Sequence, residues 1–238
     1  MANVVAKESN KQVSMKKRNQ AVIFDMDGVI CHTNPYHTKA YQRFLAKRGL
    51  HPTEEDFAQH MYGKNNRYIL THFLGREIGE DEFVALENEK EELFREIYAE
   101  EITPIDGYLE FLNELKTKGF KTGVATSAPF SNLHLIMEAL GFEPMMESML
   151  ASEDVTKHKP DPEVYLKSAA NLGVAVENCV VFEDSYSGVS AAINAGMKVV
   201  GVLSSHSKEE LPPCQFYIKD YRELTALHIE EILSEVSV

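Results

Sequence analysis

Short apolar runs rich in β-branched residues alternate with amphipathic stretches through the second half of this chain, and that alternation restricts the fold more than any other feature. The runs fall at residues 20–24, 120–125, 179–182 and 198–202, with a weaker one at 148–151. Uninterrupted apolar runs of this length suit strands buried on both faces. Helical stretches at 107–118, 131–140, 162–172 and 187–195 lie between them. Gly119, Gly141, Gly173 and Gly196 follow these stretches, where a left-handed C-terminal cap belongs. Strand and helix in strict alternation predict an α/β fold, a Rossmann-like parallel sheet with helices over both faces.

Residues 36–100 break the rhythm. They hold no strand candidate, and 36–48, 54–60, 67–74 and 81–98 all read as helices. In the last of these Phe83, Leu86, Leu93, Phe94 and Ile97 recur at roughly helical spacing. An all-helical cap inserted after the first strand is the expected organisation: residues 1–19 a mobile tail, 20–35 with 101–238 the catalytic core, and 36–100 the cap.

Two carboxylates, Asp25 and Asp27, follow the run Val22-Ile23-Phe24 directly. Side chains two apart on a strand leave on the same side. The carboxyl end of a central parallel strand is where open α/β sheets bind ligands. Two acids held so close do not both ionise cheaply without a cation, which is what an acid/base partner requires. Gly28 then lets the backbone turn sharply. A solvated turn is the alternative for Asp-x-Asp-Gly on its own. A calcium loop is disfavoured, because no Glu stands twelfth from Asp25.

Three further elements favour a site. Val180-Val181-Phe182 ends in Glu183-Asp184, oxygens suited to a hard cation such as Mg²⁺. Val124-Ala125 ends in Thr126-Ser127, and Lys159 stands before Pro160-Asp161-Pro162 at the start of a helix. A hydroxyl and an ammonium suit the non-bridging oxygens of a transferring phosphoryl group. The formal net charge of −13 makes the cation and the lysine necessary, since such a surface repels a phosphate ester. The same charge argues against nucleic acid and anionic membranes as partners, and no apolar stretch approaches the ~20 residues of a membrane helix.

These four segments, 22–30, 124–127, 159–162 and 181–185, resemble the four ordered motifs of the haloacid dehalogenase superfamily, and the resemblance runs from about residue 20 to 235. The helical insert looks like the cap of its β-phosphoglucomutase-like branch. The resemblance implies that Asp25 is the nucleophile and becomes an aspartyl phosphate, while Asp27 protonates the leaving oxygen and later deprotonates the acceptor. It implies that Thr126 and Lys159 hold phosphoryl oxygens, with Ser127 beside them. Mg²⁺ would be held by Asp25, the Asp27 carbonyl and Asp184, with Glu183 close by, directly or through water. An acid at Asp27 points to phosphoryl transfer rather than dehalogenation.

In the cap, Thr33, Tyr36, His37 and Lys90 match positions of the mutases, His37 and Lys90 as candidate substrate contacts. A structural histidine and an ion pair within an acidic helix are the alternatives. Where the mutases carry a phosphate-binding arginine, this chain reads Gly63-Lys64-Asn65-Asn66-Arg67, so Asn66 takes the position and Arg67 follows one residue late. Ala128-Pro129 replaces their polar pair after the second motif. The expected function is therefore a Mg²⁺-dependent phosphatase of small phosphorylated metabolites, sugar phosphates first. A β-phosphoglucomutase-type isomerase and a non-catalytic binding protein on the same fold are its rivals. Cys31, Cys179 and Cys214 are too few and scattered for a disulfide framework, so a reducing, cytoplasmic setting is expected, with a monomer or weak oligomer.

Overall fold

Four consecutive buried residues, Ala21–Phe24, form β1, the strand at the middle of the molecule. The computed structural model describes residues 19–61 and 64–234, so all but Asn19 of the expected tail lies outside them. Five more strands follow: β2 (Lys121–Ala125), β3 (Ser148–Leu150), β4 (Cys179–Glu183), β5 (Lys198–Val202) and β6 (Phe216–Ile218). They form one sheet in the order β3-β2-β1-β4-β5-β6. Every pairing is parallel. The expected α/β architecture is the observed one.

Alternation along the strands divides the core in two. Val22, Phe24, Val180, Phe182, Val200 and Val202 face one layer. Ala21, Ile23, Val181 and Val199 face the other. The first layer is covered by α5 (Tyr108–Thr117) and α9 (Ala226–Ser234), the second by α7 (Glu163–Leu172) and α8 (Tyr186–Asn194), with α6 (Phe130–Leu140) following β2. Gly141 and Gly173 cap α6 and α7 at φ of 67° and 62°.

Phe24 anchors the first layer. Its ring stacks on Phe182 at 5.1 Å and meets Tyr108 edge-on at 5.3 Å. Phe24→Ala should therefore cost about 3–5 kcal/mol, read by urea denaturation. A loss below about 1 kcal/mol would mean that the layer collapses around the gap.

Between β1 and α5 lie only helices among the described residues: α1 (Asn34–Ala46), α2 (Glu54–His60), α3 (Asn66–Leu74) and α4 (Glu80–Tyr98). Helix α1 starts earlier than its apolar pattern suggests, because Pro35 fits the first turn. Thr53 and Asp56 cap α2 reciprocally, at 2.7 Å and 3.2 Å. Helices α1 and α4 pack lengthwise through Tyr36 on Tyr98 and His37 on Phe94. No described helix is long and apolar enough to cross a membrane.

Two elements have no counterpart in the sequence expectations. β6 is an edge strand whose apolar run, Phe216-Tyr217-Ile218, is short and flanked by Gln215 and Lys219, so it does not stand out as the longer runs do. α9 is a short helix whose pattern stands outside the strand–helix alternation.

Candidate active site

The sheet order reverses direction at β1, with β2 and β3 on one side and β4 to β6 on the other, so the crevice beyond its carboxyl end is the topological switch point. Asp25 follows β1, Thr126 follows β2 and Asp184 follows β4, while Glu183 is the last residue of β4. These residues line one cavity of about 920 Å³, together with Asp27, Ser127, Lys159 and side chains from α1, α3 and α4. The volume falls within the ~300–1,000 Å³ usual for small-molecule sites.

Asp25 is 6% exposed. Its Oδ1 accepts a hydrogen bond from Lys159 Nζ at 2.6 Å. Burial pushes its carboxyl up to about 7; Lys159 pulls down, while the charges of Glu183 and Asp27 push up further. Lys159 also donates to the Ala125 carbonyl at 3.1 Å and to Glu183 Oε1 at 2.8 Å. Burial disfavours its ammonium, but Asp25 and Glu183 outweigh that and hold it well above the ordinary lysine range.

Gly28 makes the turn after Asp27 possible. Its φ is 72°, its N–H donates to the Cys31 carbonyl at 2.8 Å, and a Cβ there would collide with the Asp184 carboxylate. Only glycine lets that carboxylate lie against the backbone following Asp27. Asp184 is held by Ser205, whose hydroxyl donates to Oδ2, while Ser204 donates to the Gly28 carbonyl at 2.5 Å. Burial, then the charges of Glu183 and Asp25, raise the Asp184 carboxyl well above the usual range despite the Ser205 hydrogen bond.

Glu183 is occupied on both oxygens. Oε1 accepts from Lys159 and from Tyr165 Oη at 2.9 Å; Oε2 accepts from the Asp184 and Ser185 amides and the Ser185 hydroxyl at 2.9, 3.0 and 3.0 Å. A Cβ at Gly188 would collide with it, so the first turn of α8 packs directly on this carboxylate. Thr126 is buried, and its Oγ1 accepts from the Ala128 amide at 3.0 Å; Ser127 is exposed at the cavity wall.

His37 reaches Asp27 from α1, its Nε2 lying 3.4 Å from Oδ1. Its Nδ1 lies 2.8 Å from Lys90 Nζ. An ammonium only donates, so Nδ1 is the acceptor and Nε2 carries the N–H that faces Asp27. Burial presses the Asp27 carboxyl upward, but the His37 hydrogen bond and charge, with a contribution from Thr33, together outweigh it and leave the group below its usual value.

The remaining cap candidates are committed to protein partners. Lys90 is 2% exposed and pairs with Glu91 at 2.8 Å. The Asn66 amide donates to Glu87 and Glu91, both at 2.9 Å, and accepts from Tyr41 Oη at 2.6 Å. Arg67 pairs with Glu80 at 2.5 Å and lies over the Phe83 ring. The charges of Lys90 and Arg67 are thus balanced, and Glu87 and Glu153 line the same cavity. Gly63 lies outside the described residues.

Sequence reasoning passed over Ser204 and Ser205, which lie just beyond β5, after Leu203. It also passed over Tyr165 and Asn132, whose roles depend on which helices meet.

The chain matches the family model of haloacid dehalogenase-like hydrolases over residues 22–202. It is 36% identical to a phosphorylated carbohydrates phosphatase of Thermotoga maritima over 190 residues, 78% of this chain and 86% of that protein. Among solved structures, a HAD hydrolase of family IA, variant 3, from Entamoeba histolytica is 26% identical with a TM-score of 0.85, covering 91% of this chain and all of that one. A β-phosphoglucomutase from Clostridium difficile is 26% identical with a TM-score of 0.79, covering 90% of this chain and 96% of that one.

Proposed function

The chain belongs to the haloacid dehalogenase-like hydrolases, and from that premise we propose that it is a phosphatase of small phosphorylated metabolites, sugar phosphates first, working through an aspartyl phosphate on Asp25. One observation carries the reading. A buried Asp25 bonded to Lys159 lines the same cavity as Asp27, whose carboxylate is met by His37 from α1.

An Asp25 oxygen attacks phosphorus, and the bond from phosphorus to the leaving oxygen breaks as Asp27 gives that oxygen a proton. Water then attacks the aspartyl phosphate, Asp27 takes its proton, and inorganic phosphate leaves. Lys159 and Thr126 would steady the phosphoryl oxygens, with Ser127 at their side. Glu183, saturated as it is, would act by orienting Lys159 rather than as a metal ligand. Asp27 takes up the proton it donates when a phosphate dianion arrives beside it.

Mg²⁺ fits the residues present. The donors are oxygens, and Asp25 and Asp184 are buried carboxylates both raised by burial and by the charge of Glu183, the environment a hard cation relieves. Among the described residues no three His, Cys, Asp or Glu side chains form a ready cage. Asp25, Asp184 and the Asp27 carbonyl would be the protein ligands, and the ion, when bound, supplies positive charge against the phosphoryl oxygens. A folded-state carboxyl raised from 3.8 to about 7 lowers stability as pH rises through about 7. The rise in melting temperature on adding Mg²⁺ should therefore be larger at about pH 8 than at about pH 5.5. An equal rise at both would exclude Asp25 from the binding site.

Water is favoured over a sugar hydroxyl as acceptor, because Arg67 and Lys90 are paired and Ala128-Pro129 offers no polar side chain to a second phosphate. A sugar 1-phosphate supplied with a trace of its bisphosphate should release inorganic phosphate in step with its consumption. Rapid 6-phosphate formation without phosphate release would overturn the phosphatase reading in favour of the isomerase. The net charge of −13 supports a small-molecule partner over nucleic acid or membrane, and the free cysteines suit a cytoplasmic setting.

A further inference from the structure

Glu91 is 2% exposed and ties three elements together. Its Oε1 accepts from Lys90 Nζ at 2.8 Å and from Asn66 Nδ2 at 2.9 Å. Its Oε2 accepts from Asn132 Nδ2 at 2.7 Å. Asn132 is fully buried in the first turn of α6, the helix that follows Thr126 on the sheet side of the molecule. Arg95, one turn along α4 from Glu91, donates to Asn132 Oδ1 at 3.0 Å and to Ser131 Oγ at 2.8 Å. Because Asn132 Oδ1 takes Arg95, its amide N–H must face Glu91, and the side chain has one orientation.

The line continues from Glu91 through Lys90 and His37 to Asp27. It starts on α6, beyond β2, crosses α4 and α1, and returns to Asp27 in the loop that follows β1. A carboxylate needed only to neutralise Lys90 would require no contact with α6. Here its second oxygen is spent there, and Glu91 is held ionised: burial opposes it, but Lys90, His37 and the Asn132 hydrogen bond bring its carboxyl down to about 2. That carboxylate pairs with the Lys90 ammonium at 2.8 Å, and the ammonium, donating to Nδ1, dictates which His37 nitrogen faces Asp27.

We propose that Glu91 and Asn132 are positioning residues that couple the seating of α4 against α6 to the orientation of Asp27 for proton transfer. With α4 seated, Lys90 and His37 are aligned; with it lifted, Asn132 releases Glu91 and His37 loses its fixed direction. Proton donation to the leaving oxygen is then confined to the enclosed cavity. The proposal rests on the phosphatase reading above.

Leaving-group chemistry provides the test. A nitrophenolate departs without a proton, whereas a sugar alkoxide requires one from Asp27. Values of kcat/KM, which report the transfer to Asp25, are measured for p-nitrophenyl phosphate and for a hexose 6-phosphate with wild type, Glu91→Gln and Asn132→Leu. The ratio of aryl to alkyl ester should rise by about 30-fold or more in Glu91→Gln and by about 10-fold in Asn132→Leu. Two variants on different helices guard against one that fails to fold. Parallel losses on both esters, or an unchanged ratio in both variants, would overturn the coupling while the phosphatase reading stands. A wild-type protein that hydrolyses neither ester overturns both.

Discussion

Asp25→Asn should lower hydrolysis of a small phosphate ester by about 10⁵-fold or more while the protein stays folded. The amide keeps the shape and still offers Lys159 an acceptor oxygen, but it is too weak a nucleophile to take the phosphoryl group. Stability should not fall at about pH 8. The wild-type carboxyl sits at about 7 because burial and the charges of Glu183 and Asp27 oppose its ionisation, so a neutral amide relieves a strain present above that pH. Acid-quenched wild-type enzyme should carry a phosphoryl group on the peptide containing Asp25, visible by mass spectrometry and absent from the variant. An Asp25→Asn protein that turns over at the wild-type rate, with the same Mg²⁺ dependence, would sink the covalent mechanism.

Lys159→Met is expected to be the most damaging substitution for the fold near the site. The ammonium, 5% exposed, is shared between Asp25 at 2.6 Å and Glu183 at 2.8 Å. Its removal leaves two buried carboxylates without their cation, which costs about 3–5 kcal/mol for a broken buried pair. Activity should fall by roughly 10²–10³-fold, since the same ammonium would face the phosphoryl oxygens. The sign of the pH dependence follows from Asp25. Losing Lys159 raises its folded-state value further, so the deficit is present at high pH and shrinks as pH falls toward the ordinary carboxylate range. Urea denaturation at about pH 8 and about pH 5.5 measures this, and a deficit equal at both would mean that packing on Tyr165, not charge, is what Lys159 supplies.

The sheet was legible because its central strands are buried on both faces. β1, β4 and β5 each appear as a run of apolar residues, β2 as a shorter one after Lys121 and Thr122, and the polar residues that close each run mark a strand end. Asp25, Thr126 and Asp184 were found in that way. β6 escaped because its run, Phe216-Tyr217-Ile218, is too short to stand out. The cap candidates were legible as residues but not as contacts. Lys90 is the exception, forming with Glu91 the ion pair within its own acidic helix that the sequence offered as the alternative. Arg67 appears in the sequence as free positive charge, yet Glu80 neutralises it, and that pairing depends on how α3 and α4 pack. The same holds for Asn132, one polar residue in an apolar helix until the fold sets it against Glu91. Glu183 is the opposite case: its neighbours Asp184 and Ser185 are adjacent in sequence, but its saturation by Lys159 and Tyr165 comes from α7 and the loop before it.

All six strands run the same way, so their amino ends form a face with no part in the chemistry. Asn19 lies on that face, separated from Asp25 by the length of β1, about 13 Å at ~3.3 Å per residue. For immobilisation on a support, or for fusion to a reporter, attachment there points the cavity away from the surface and leaves the helices of the cap free to open. Anchoring through α2 or α3 would do the reverse.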